Sequence, residues 1–562
     1  MKICLINLVN SDYVIASLFV RDNRDNNIVY SPPVGLLSLG AVLEKNGHTV
    51  EILDLEGLMK QKKLVIDRNF HNNAAKIILN KNIDILGFNT RCDTYPGVLN
   101  IAKKCKKLNP SCIIIFGGPQ ATLLDIETLE KFRFVDIIVR GEGELTIVEL
   151  MNRLKDKEGL QGVAGITYRG FHGEIIRNPD RKLIENLDTL PQLAYHLIDK
   201  YNNNGNMFKN MGFGIEVGRG CPYNCIFCSS RLVHKQMHRM KSPENIIKEI
   251  EFLKNIYGIK WFNFLHDHLL FDKEKIMELC DIFVQRKLNV YWGCSSRPEG
   301  ITPELLKIMV KAGCQAIYFG IESGSQRIQK FIQKNIDVSI VPKIIEECEK
   351  YNIEITASFI IGFPDEKIED INATLNLALR CSLFINCIVQ LHLLSPMPRT
   401  PLFERYKDRL IFTGLFSDTA DPQLSRLKEN LSLIKRYPFI FCNYYGFKPK
   451  HISINLPYNI VQVFIVILIV FRLSCLMIIK EFKFRPMWLF RRLYKKISKE
   501  NCRKGCFILT ETMKQHFPQI IDYIYTQRRT DPSFIKSIIR SEIKNYDESL
   551  IKIYLKKRES VL

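Results

Sequence analysis

The stretch Gly220-Cys221-Pro222-Tyr223-Asn224-Cys225-Ile226-Phe227-Cys228 decides how this chain is interpreted, and it follows an apolar run that begins at Phe213. Three cysteines on one short loop can hold a single iron-sulfur cluster, because such clusters are bound by cysteine thiolates and a compact loop lets the ligands converge. Three ligands for four irons leave one iron open to a chelating molecule. Zinc is the alternative metal, with His234 and His238 as the only close candidates for a fourth ligand.

Around this loop, residues 211–420 alternate short apolar runs with helical stretches. The predicted strands are residues 213–220, 261–267, 289–296, 315–323, 355–363 and 387–395. Helices are expected between them, the first over residues 243–257. Six such repeats fit a central partial (β/α)6 barrel of the TIM type, in which the chemistry belongs at the carboxyl ends of the strands.

Residues 1–190 show the same alternation. The predicted strands are residues 2–8, 48–55, 84–90, 112–118 and 136–141. Strands alternating with amphipathic helices predict βαβ units and a parallel sheet. The first helix is expected between Pro33 and Gly47, which suit a helix start and the position just past a helix end. The prediction is an N-terminal flavodoxin-like (Rossmann-like) α/β domain that binds a ligand at the carboxyl ends of its strands.

Two further regions complete the predicted organisation. The Asn- and Gly-rich residues 191–210 are predicted to be a linker, and residues 421–562 a mainly α-helical C-terminal domain. Within that domain, residues 460–479 are almost wholly apolar and are followed by a basic stretch. The segment has nearly the length that spans a bilayer, although Arg472 is costly in such a position. An interfacial helix and a buried helix of a globular domain are the alternatives.

The composition is that of a globular protein, because 46% of the 562 residues are hydrophobic and 25% are charged. The 17 cysteines are thinly spread and the N-terminus has no signal-peptide pattern, so we expect a reducing cytoplasm. Scattered cysteines such as Cys4, Cys105 and Cys348 are then expected in cores. The net charge is +21, and residues 451–562 carry 21 Lys and Arg against 9 Asp and Glu. This excess fits either a solvated basic surface or an anionic partner.

The cysteine loop matches the Cys-x3-Cys-x2-Cys motif of the radical S-adenosylmethionine (SAM) superfamily, which this chain resembles. Residues 264–272, 292–297, 320–325 and 361–366 resemble four further strand motifs of that family, in order and spacing. The resemblance implies a [4Fe-4S] cluster on Cys221, Cys225 and Cys228, which act both as metal ligands and as the catalytic centre. It also implies that the open iron chelates SAM, whose reductive cleavage yields a 5′-deoxyadenosyl radical.

The same resemblance assigns residues to SAM. The candidates are Asp267, Arg297, Glu322, Ser323, Gly362 and Pro364. Arg297, Glu322 and Ser323 would bind the amino acid and ribose of SAM. Gly362 and Pro364 would lie near its adenine. The family usually has two acids on the second strand. Here the first is replaced by His266, which leaves Asp267 as the one acid of that pair. A structural ion pair or cap is the alternative role for Asp267 and Glu322.

The first domain resembles the cobalamin-binding domain of B12-dependent radical SAM enzymes in residues 33–40, 84–90, 116–122 and 141–144. The candidate cobalamin-binding residues are Asn89, Thr90, Gly117, Gly118, Gly141 and Glu142. A large ligand needs a groove at strand ends and glycines where the backbone meets it. The Asp-x-His-x-x-Gly sequence that supplies a lower axial histidine in other cobalamin proteins is absent. A Rossmann-like domain that holds no cobalamin and only shapes the substrate cavity is the alternative.

The family resemblance predicts a cobalamin-dependent radical SAM C-methyltransferase that acts on an unactivated carbon of a small molecule, lipid or peptide natural product. A B12 radical SAM oxidative cyclase, or an enzyme of another radical rearrangement, is the first alternative. A tRNA-modifying radical SAM enzyme is the second, suggested by the basic tail. Against it, the tail is hydrophobic between its charges and the first domain lacks a second set of clustered cysteines.

The predicted partners follow from that chemistry. They are a small-molecule or peptide substrate and an electron donor such as flavodoxin or ferredoxin, whereas nucleic acid is not indicated. A cytoplasmic location is expected, with peripheral contact at the inner face of a membrane as an option because of residues 460–496. The sequence specifies neither the substrate nor an oligomeric state.

Overall fold

The computed structural model describes residues 2–8, 32–80, 83, 85–201, 212–414, 417, 419–483, 485–490, 492, 516–526 and 531–544. The chain forms two compact units. Unit 1 comprises Met1–Ser295, Lys307–Cys314 and Ser395–Tyr445, and unit 2 comprises Ser296–Leu306, Gln315–Leu394 and Gly446–Leu562. These units cut across the predicted domain limits, because the chain leaves unit 1 and returns to it.

The N-terminal part of unit 1 is built on a seven-stranded sheet. Its strands are β1 (Lys2–Asn7), β2 (Thr49–Asp54), β3 (Ile85–Asn89), β4 (Ile113–Gly117), β5 (Ile137–Val139), β6 (Ile166–Arg169) and β7 (Ile175–Arg177). The order β2-β1-β3-β4-β5 is parallel and confirms the flavodoxin-like prediction. The antiparallel strands β6 and β7, which were not predicted, extend the sheet beyond β5.

The helices of this part connect the strands. They are α1 (Val34–Lys45), α2 (Leu55–Lys60), α3 (Phe70–Leu79), α4 (Tyr95–Leu108), α5 (Pro119–Leu123), α6 (Asp125–Lys131) and α7 (Gly143–Lys155). Helix α1 starts directly after Pro33 and ends before Gly47, whose φ of +77° is the left-handed conformation that glycine adopts at low cost. Leu36, Leu37 and Leu43 of this helix are buried, whereas Leu39 is half-buried.

Six strands follow in the barrel region: β8 (Phe213–Glu216), β11 (Trp261–Leu265), β12 (Tyr291–Ser296), β13 (Cys314–Glu322), β14 (Glu354–Ile361) and β15 (Cys387–Leu393), with a two-residue pair, β9 (Gly218–Arg219) and β10 (Arg239–Met240), after β8. Strands β8, β11 and β12 pair in parallel, as do β13, β14 and β15. The helices are α8 (Ser230–Val233), α9 (Pro243–Tyr257), α10 (Lys273–Gln285), α11 (Pro303–Lys311), α12 (Gln326–Phe331), α13 (Val341–Lys350) and α14 (Ile368–Cys381). All six predicted strands are present, which is the expected partial (β/α)6 pattern.

The segment Ser395–Tyr445 packs against the N-terminal sheet. It contains α15 (Pro401–Tyr406), β16 (Leu410–Ile411), α16 (Pro422–Arg426) and α17 (Lys428–Arg436). Ile434, Phe441 and Tyr444 belong to the same buried core as side chains of β1, β3 and β4. Polar contacts add to this, because the Asn100 amide donates to the Asn430 side-chain oxygen at 2.7 Å. The predicted boundary at residue 420 therefore lies inside a segment that completes the first domain's core.

The rest of the chain is mainly helical, with a short strand β17 (Gly446–Phe447) and the helices α18 (Leu456–Val470), α19 (Arg472–Glu481) and α20 (Ser533–Lys544). The apolar segment 460–479 is divided between α18 and α19 at Phe471. Within the described ranges, no helix is both long enough and apolar enough to cross a membrane. Of the predicted linker, Tyr195–Tyr201 forms a 3-10 helix with Tyr195, Ile198 and Tyr201 buried, so this part is packed. Residues 202–210 lie outside the described residues.

Candidate functional site

The cysteine loop is an irregular segment between β9 and α8. Its entry is fixed by Gly220, whose φ is +84° and whose position leaves no room for a Cβ beside the Met237 carbonyl. Within the loop, the Cys228 amide donates to the Cys225 carbonyl at 3.2 Å. Cys221, Cys225 and Cys228 are all partly exposed, whereas the scattered cysteines Cys4, Cys105 and Cys348 are buried as predicted.

The three thiols lie close enough to influence one another. Burial raises the pKa of the Cys228 thiol to about 12, and Asp267, Cys225 and Cys221 raise it further through their charges. A cation would reverse this, because a coordinated thiol is deprotonated. In the described part of the chain, no three His, Cys, Asp or Glu side chains are arranged around one metal ion. A cubane has a different requirement, because each cysteine binds its own iron, so this donor set suits a [4Fe-4S] cluster better than zinc.

The cysteine loop is also bound by helix α15, which lies about 175 residues later in the sequence. The Leu402 amide, in the first turn of α15, donates to the Ile226 carbonyl at 3.0 Å. Ile226, between the second and third cysteines, is buried together with Leu402 and Phe403. First-turn amides of a helix have no partner inside the helix, so α15 has this donor to spare. The middle of the cysteine loop is therefore tied to the returning segment of unit 1.

Unit 1 contains a cavity of about 670 Å³, and the carboxyl ends of strands in the N-terminal domain form part of its lining. One part of its lining is glycine-rich backbone and apolar side chains from the ends of β3, β4 and β5: Gly87, Phe88, Asn89, Ile115, Gly117, Gly118, Val139 and Gly141. Another part comes from both flanks of the cysteine loop and from β11: Gly218, Gly220, Ser229, Ser230, His234, Asn263, His266 and Asp267. A volume of this size is typical of a ligand-binding pocket.

Gly118, directly after β4, is required by the backbone. Gly118 has φ +103°, and a Cβ there would lie 2.7 Å from the Thr90 carbonyl oxygen. Thr90 is fully buried, and its hydroxyl donates to the Gly117 carbonyl at 2.8 Å. The Asn89 amide group donates to the Asn7 side-chain oxygen at 3.2 Å. These turns expose Cβ-free backbone to the cavity, which fits a large ligand lying against it. Thr90 supports them from beneath and does not line the cavity.

Glu142 contributes to the cavity wall differently from the glycines. Its carboxylate lies 2.9 Å from the Arg239 guanidinium and accepts the Ile184 amide at 2.6 Å. The preceding Gly141 has φ +68°, and its Cβ would meet nothing within 4 Å. The predicted loop thus lines the cavity, but the Glu142 carboxylate is already bound to protein groups. Its role in a cobalamin site would be to hold the loop in place.

The second strand of the barrel region presents a histidine and an acid to the same cavity. The Ser230 hydroxyl donates to the Asp267 carboxylate at 2.6 Å. The His268 amide donates to Nδ1 of His266 at 3.0 Å, so neutral His266 carries its proton on Nε2. Burial lowers the pKa of His266 to about 3, and His238 and His268 add to this effect. His266 is therefore neutral at physiological pH and cannot replace the charge of the missing acid.

Two of the proposed SAM-binding residues, Glu322 and Arg297, contact one lysine in unit 2. The β13–β14 pairing shifts register between Gly320 and Glu322, and Glu322 has a φ of +66°, which is strained for a residue with a side chain. Its carboxylate accepts from Nζ of Lys334 at 2.6 Å. Arg297 donates to the Lys334 carbonyl at 2.5 Å, and both guanidinium and ammonium groups are largely buried. Sequence analysis missed Lys334, which no motif indicated.

The other proposed SAM residues are held by internal hydrogen bonds. The Ser323 hydroxyl is fully buried, lies 3.0 Å from the Thr374 hydroxyl and accepts the Ser325 amide. Gly362 has φ +100°, and its amide donates to the Glu366 carboxylate at 2.7 Å. Burial raises the pKa of Glu366 to about 8, against the lowering effect of the Gly362 amide. Glu366 therefore shapes the Gly362 turn, and Ser323 shapes the turn after β13.

The Pro364 carbonyl accepts the Lys450 amide at 3.0 Å, so the predicted fifth-strand motif also contacts the segment after β17. Each of the six candidate SAM residues thus lies at or just beyond the carboxyl end of a strand, as predicted. Asp267 belongs to unit 1 and the other five belong to unit 2.

Two family models match the regions just described. The model of the radical SAM superfamily matches residues 215–378, and the model of the B12 binding domain matches residues 29–151. The first runs from within β8 to within α14 and includes the cysteine loop, and the second covers the glycine-rich strand ends.

Two proteins show sequence similarity over most of their own length. An uncharacterized methyltransferase, PH0819 of Pyrococcus horikoshii, is 34% identical over 376 residues, which are 66% of this chain and 78% of the relative. The anaerobic magnesium-protoporphyrin IX monomethyl ester cyclase of Synechocystis sp. is 26% identical over 71% of this chain and 75% of its own.

Among solved structures, the cobalamin-dependent S-adenosylmethionine radical enzyme OxsB with aqua-cobalamin bound aligns with a TM-score of 0.61 at 17% identity. The alignment covers 93% of this chain and 76% of that one, and it supports the fold. Together with the cysteine loop and the glycine-lined cavity, the comparisons establish that the chain belongs to the radical SAM superfamily, in the group whose members carry an N-terminal B12-binding domain.

Proposed function

We propose that this protein is a cobalamin-dependent radical SAM C-methyltransferase acting on an unactivated carbon of a small molecule, lipid or peptide natural product. One observation supports this most strongly. The glycine-lined strand ends of the B12-binding domain and both flanks of the cysteine loop line the same cavity of unit 1. Methyl transfer to a carbon radical needs the methyl donor and the radical source to reach one substrate, and a shared cavity provides that access.

The residues of the chain have separate tasks in this proposal. When bound, the cluster and SAM supply a 5′-deoxyadenosyl radical, and cobalamin supplies the methyl group. Cys221, Cys225 and Cys228 would hold the cluster, and the Gly117-Gly118 turn would be part of the cobalamin site. Leu39, Phe88 and Ile115 are apolar parts of the cavity wall that exclude water from a reactive intermediate.

In the SAM site, the Glu322 carboxylate would accept hydrogen bonds from the amino group of SAM. The Lys334 ammonium would pair with the carboxylate of SAM. Both partners are buried, which strengthens charge interactions with a zwitterion. An external one-electron donor, such as flavodoxin or ferredoxin, would reduce the cluster.

Similarity to the methyltransferase PH0819 supports methyl transfer. Similarity to the cyclase of Synechocystis supports the alternative of radical ring closure. Both alternatives need SAM cleavage and differ in the fate of the methyl group. The experiment must therefore follow that group.

The first test establishes the cofactors. The full-length chain is reconstituted anaerobically with iron, sulfide and hydroxocobalamin, and its ultraviolet-visible spectrum is recorded after gel filtration. We expect both the broad cluster absorption and cobalamin bands. A spectrum with cluster absorption alone would contradict the cobalamin part of the proposal.

The second test follows the methyl group. The reconstituted enzyme, with a reductant and trideuteromethyl-labelled SAM, is incubated with small-molecule and lipid extracts of the source cells. We expect a product that has gained one labelled methyl group in place of one hydrogen, together with 5′-deoxyadenosine. A cyclised, unlabelled product would show the alternative function instead.

A further inference from the structure

A cluster of buried charges joins the proposed cobalamin loop to the strand that leads into the cysteine loop. We call it the arginine clamp, and its members are Arg219 on β9, Arg239 on β10, Glu216 on β8, and Glu142 and Glu144 at the start of α7. Arg219 contacts all three acids, at 3.2 Å from Glu142, 2.6 Å from Glu144 and 2.9 Å from Glu216. Arg239 contacts Glu142 at 2.9 Å.

The backbone of the clamp is locked in place. Arg219 and Arg239 are direct partners across the antiparallel β9–β10 pair. Arg219 stands between two tightly packed glycines. A Cβ on Gly218 would collide with the Arg239 carbonyl on β10, and one on Gly220 with the Met237 carbonyl just before β10. The side chain of Arg219 therefore leaves the backbone two residues before Cys221 from a position that has little freedom.

The acids are equally constrained on their side. Glu144 also accepts the Ser38 hydroxyl at 2.8 Å, and Glu142 also accepts the Ile184 amide at 2.6 Å. Burial raises the pKa of Glu144, but the charge and hydrogen bonds of Arg219 outweigh this effect, so its pKa lies below the usual value. Glu142 and Glu144 flank Gly143 in the loop that lines the cavity. Both carboxylates thus anchor the loop through contacts with fixed protein groups.

The energetics explain why such a cluster suits positioning better than stabilisation. Two guanidinium groups face three carboxylates, and all five side chains are less than one fifth exposed. Moving charges out of water offsets much of their attraction, so a buried network adds little net stability, whereas loss of one member leaves buried charges unpaired. The planar fork of arginine, which binds carboxylates through two parallel hydrogen bonds, fixes direction as well as distance.

We propose that Arg219 and Arg239 are positioning residues that fix the glycine loop 141–144 relative to the cysteine loop, so that the two cofactor sites keep a constant separation. The identity of the cofactors rests on the proposed function, but the coupling between the two loops does not. The clamp acts by fixing the two loops. Arg219, Glu142 and Glu144 are also among the residues that line the cavity.

The test of the coupling uses hydrogen-deuterium exchange of the full-length chain without cofactors. Arg219→Gln should speed exchange by about tenfold in the peptides that cover residues 140–145 and 219–229 alike, because both lose the same anchor. Arg181→Gln is the matched control, because Arg181 binds Glu149 on the same helix α7 but stands outside the cavity lining. It should leave residues 219–229 unchanged. Faster exchange in only one of the two loops in Arg219→Gln would overturn the proposal.

A second measurement follows the cofactors. In Arg219→Gln, cobalamin affinity should fall by about 10- to 100-fold, the range seen when groups that orient a metal site are removed. The magnetic interaction between cob(II)alamin and the reduced cluster, observed by electron paramagnetic resonance, should weaken or broaden. Arg219→Lys keeps the charge without the fork and should give an intermediate effect. Wild-type affinity and an unchanged magnetic interaction in Arg219→Gln would contradict the proposal.

Two controls separate the possible failures. If Arg219→Gln does not fold, Glu144→Gln removes one contact of the clamp while preserving side-chain shape, and its exchange is measured in the same two loops. Unchanged exchange in both loops would then count against the coupling. If the wild-type chain binds no cobalamin, the proposed function fails, whereas the exchange experiment still decides whether the clamp couples the loops.

Discussion

The carboxyl ends of parallel strands are lined in opposite ways in the two units. In unit 1, the ends of β3, β4 and β5 carry asparagine and glycine, and the cavity meets bare backbone at Gly117, Gly118 and Gly141. In unit 2, the end of β13 carries a buried carboxylate paired with Lys334. The carboxyl ends of parallel strands thus present glycine backbone in unit 1 and a pair of charged side chains in unit 2. Topology selects where a ligand binds, and the side chains select which ligand binds.

The strongest test of this contrast removes the radical source while leaving the glycine-lined end intact. Cys225→Ala should reduce 5′-deoxyadenosine formation to background, because a [4Fe-4S] cluster with two ligands on this loop cannot hold SAM in place. The measurement is chromatography of the anaerobic reaction with dithionite. Cobalamin binding should persist. The control is Cys280→Ala, at a fully buried cysteine of α10, which should retain SAM cleavage. Cleavage in Cys225→Ala would refute the cluster assignment.

A second test weakens the charged end alone. Glu322→Gln should reduce SAM affinity by about 10- to 100-fold, because a hydrogen bond to a charged group is replaced by one to a neutral amide and Lys334 loses its counter-charge. Equilibrium binding of SAM to the reconstituted enzyme measures the change. The cobalamin spectrum should not change. Glu347→Gln, which breaks the exposed Glu347–Lys350 pair, should leave SAM affinity at the wild-type value. Equal losses in both variants would remove Glu322 from the SAM site.

A third test adds a methyl group to the glycine-lined strand ends of unit 1. Gly118→Ala forces alanine into a φ of +103° and places its Cβ 2.7 Å from the Thr90 carbonyl oxygen. Cobalamin affinity should fall by about tenfold, since strain of this kind costs about 1–3 kcal/mol and displaces the turn. Gly47→Ala carries a similar backbone strain in open space and should weaken only stability. SAM cleavage should survive in both variants. Tight cobalamin binding by Gly118→Ala would mean that the corrin does not approach this turn.

The smallest effect concerns the turn of Gly362 and its dependence on pH. The carboxyl of Glu366 keeps its proton up to about pH 8 in the folded chain, whereas its ordinary pKa is 4.5. Only the unfolded chain loses this proton between those values, so the contribution of Glu366 to stability declines as the pH rises from about 4.5 to about 8. Glu366→Gln does not titrate. As the pH rises through this range, the Tm of Glu366→Gln relative to that of the wild type should increase by a few degrees, measured by calorimetry. A Tm difference that does not change with pH would mean that Glu366 is ionised in the folded chain.

Much of the fold follows from local sequence patterns. Alternating apolar runs predicted all five parallel strands of the first sheet, and Pro33 and Gly47 marked the ends of α1 because their backbone preferences act locally. The cysteine loop was predicted for the same reason, since its ligands lie within eight residues. The hairpin of β6 and β7 was missed, although Gly170 and Gly173 between two apolar runs are a hairpin signal.

The rest depends on contacts between distant residues, which local patterns do not contain. Lys334 binds Glu322 from 12 positions further along the chain, and the arginine clamp joins residues 75 positions apart. The signal that could have indicated Arg219 is a charged residue between two glycines directly before the first cysteine. Likewise, the return of Ser395–Tyr445 to unit 1 follows from packing, not from any motif.

That return sets the order in which the protein can be assembled. Phe441 and Tyr444 fill the same core as side chains of β1, β3 and β4, more than three hundred residues earlier in the chain. A growing polypeptide emerges from the ribosome with its N-terminus first, so the first sheet must wait, incompletely packed, until most of the translation is finished. Contacts of such long sequence separation also slow folding, because a large loop must close before they form. The B12-binding domain is synthesised early and is among the last parts to be completed.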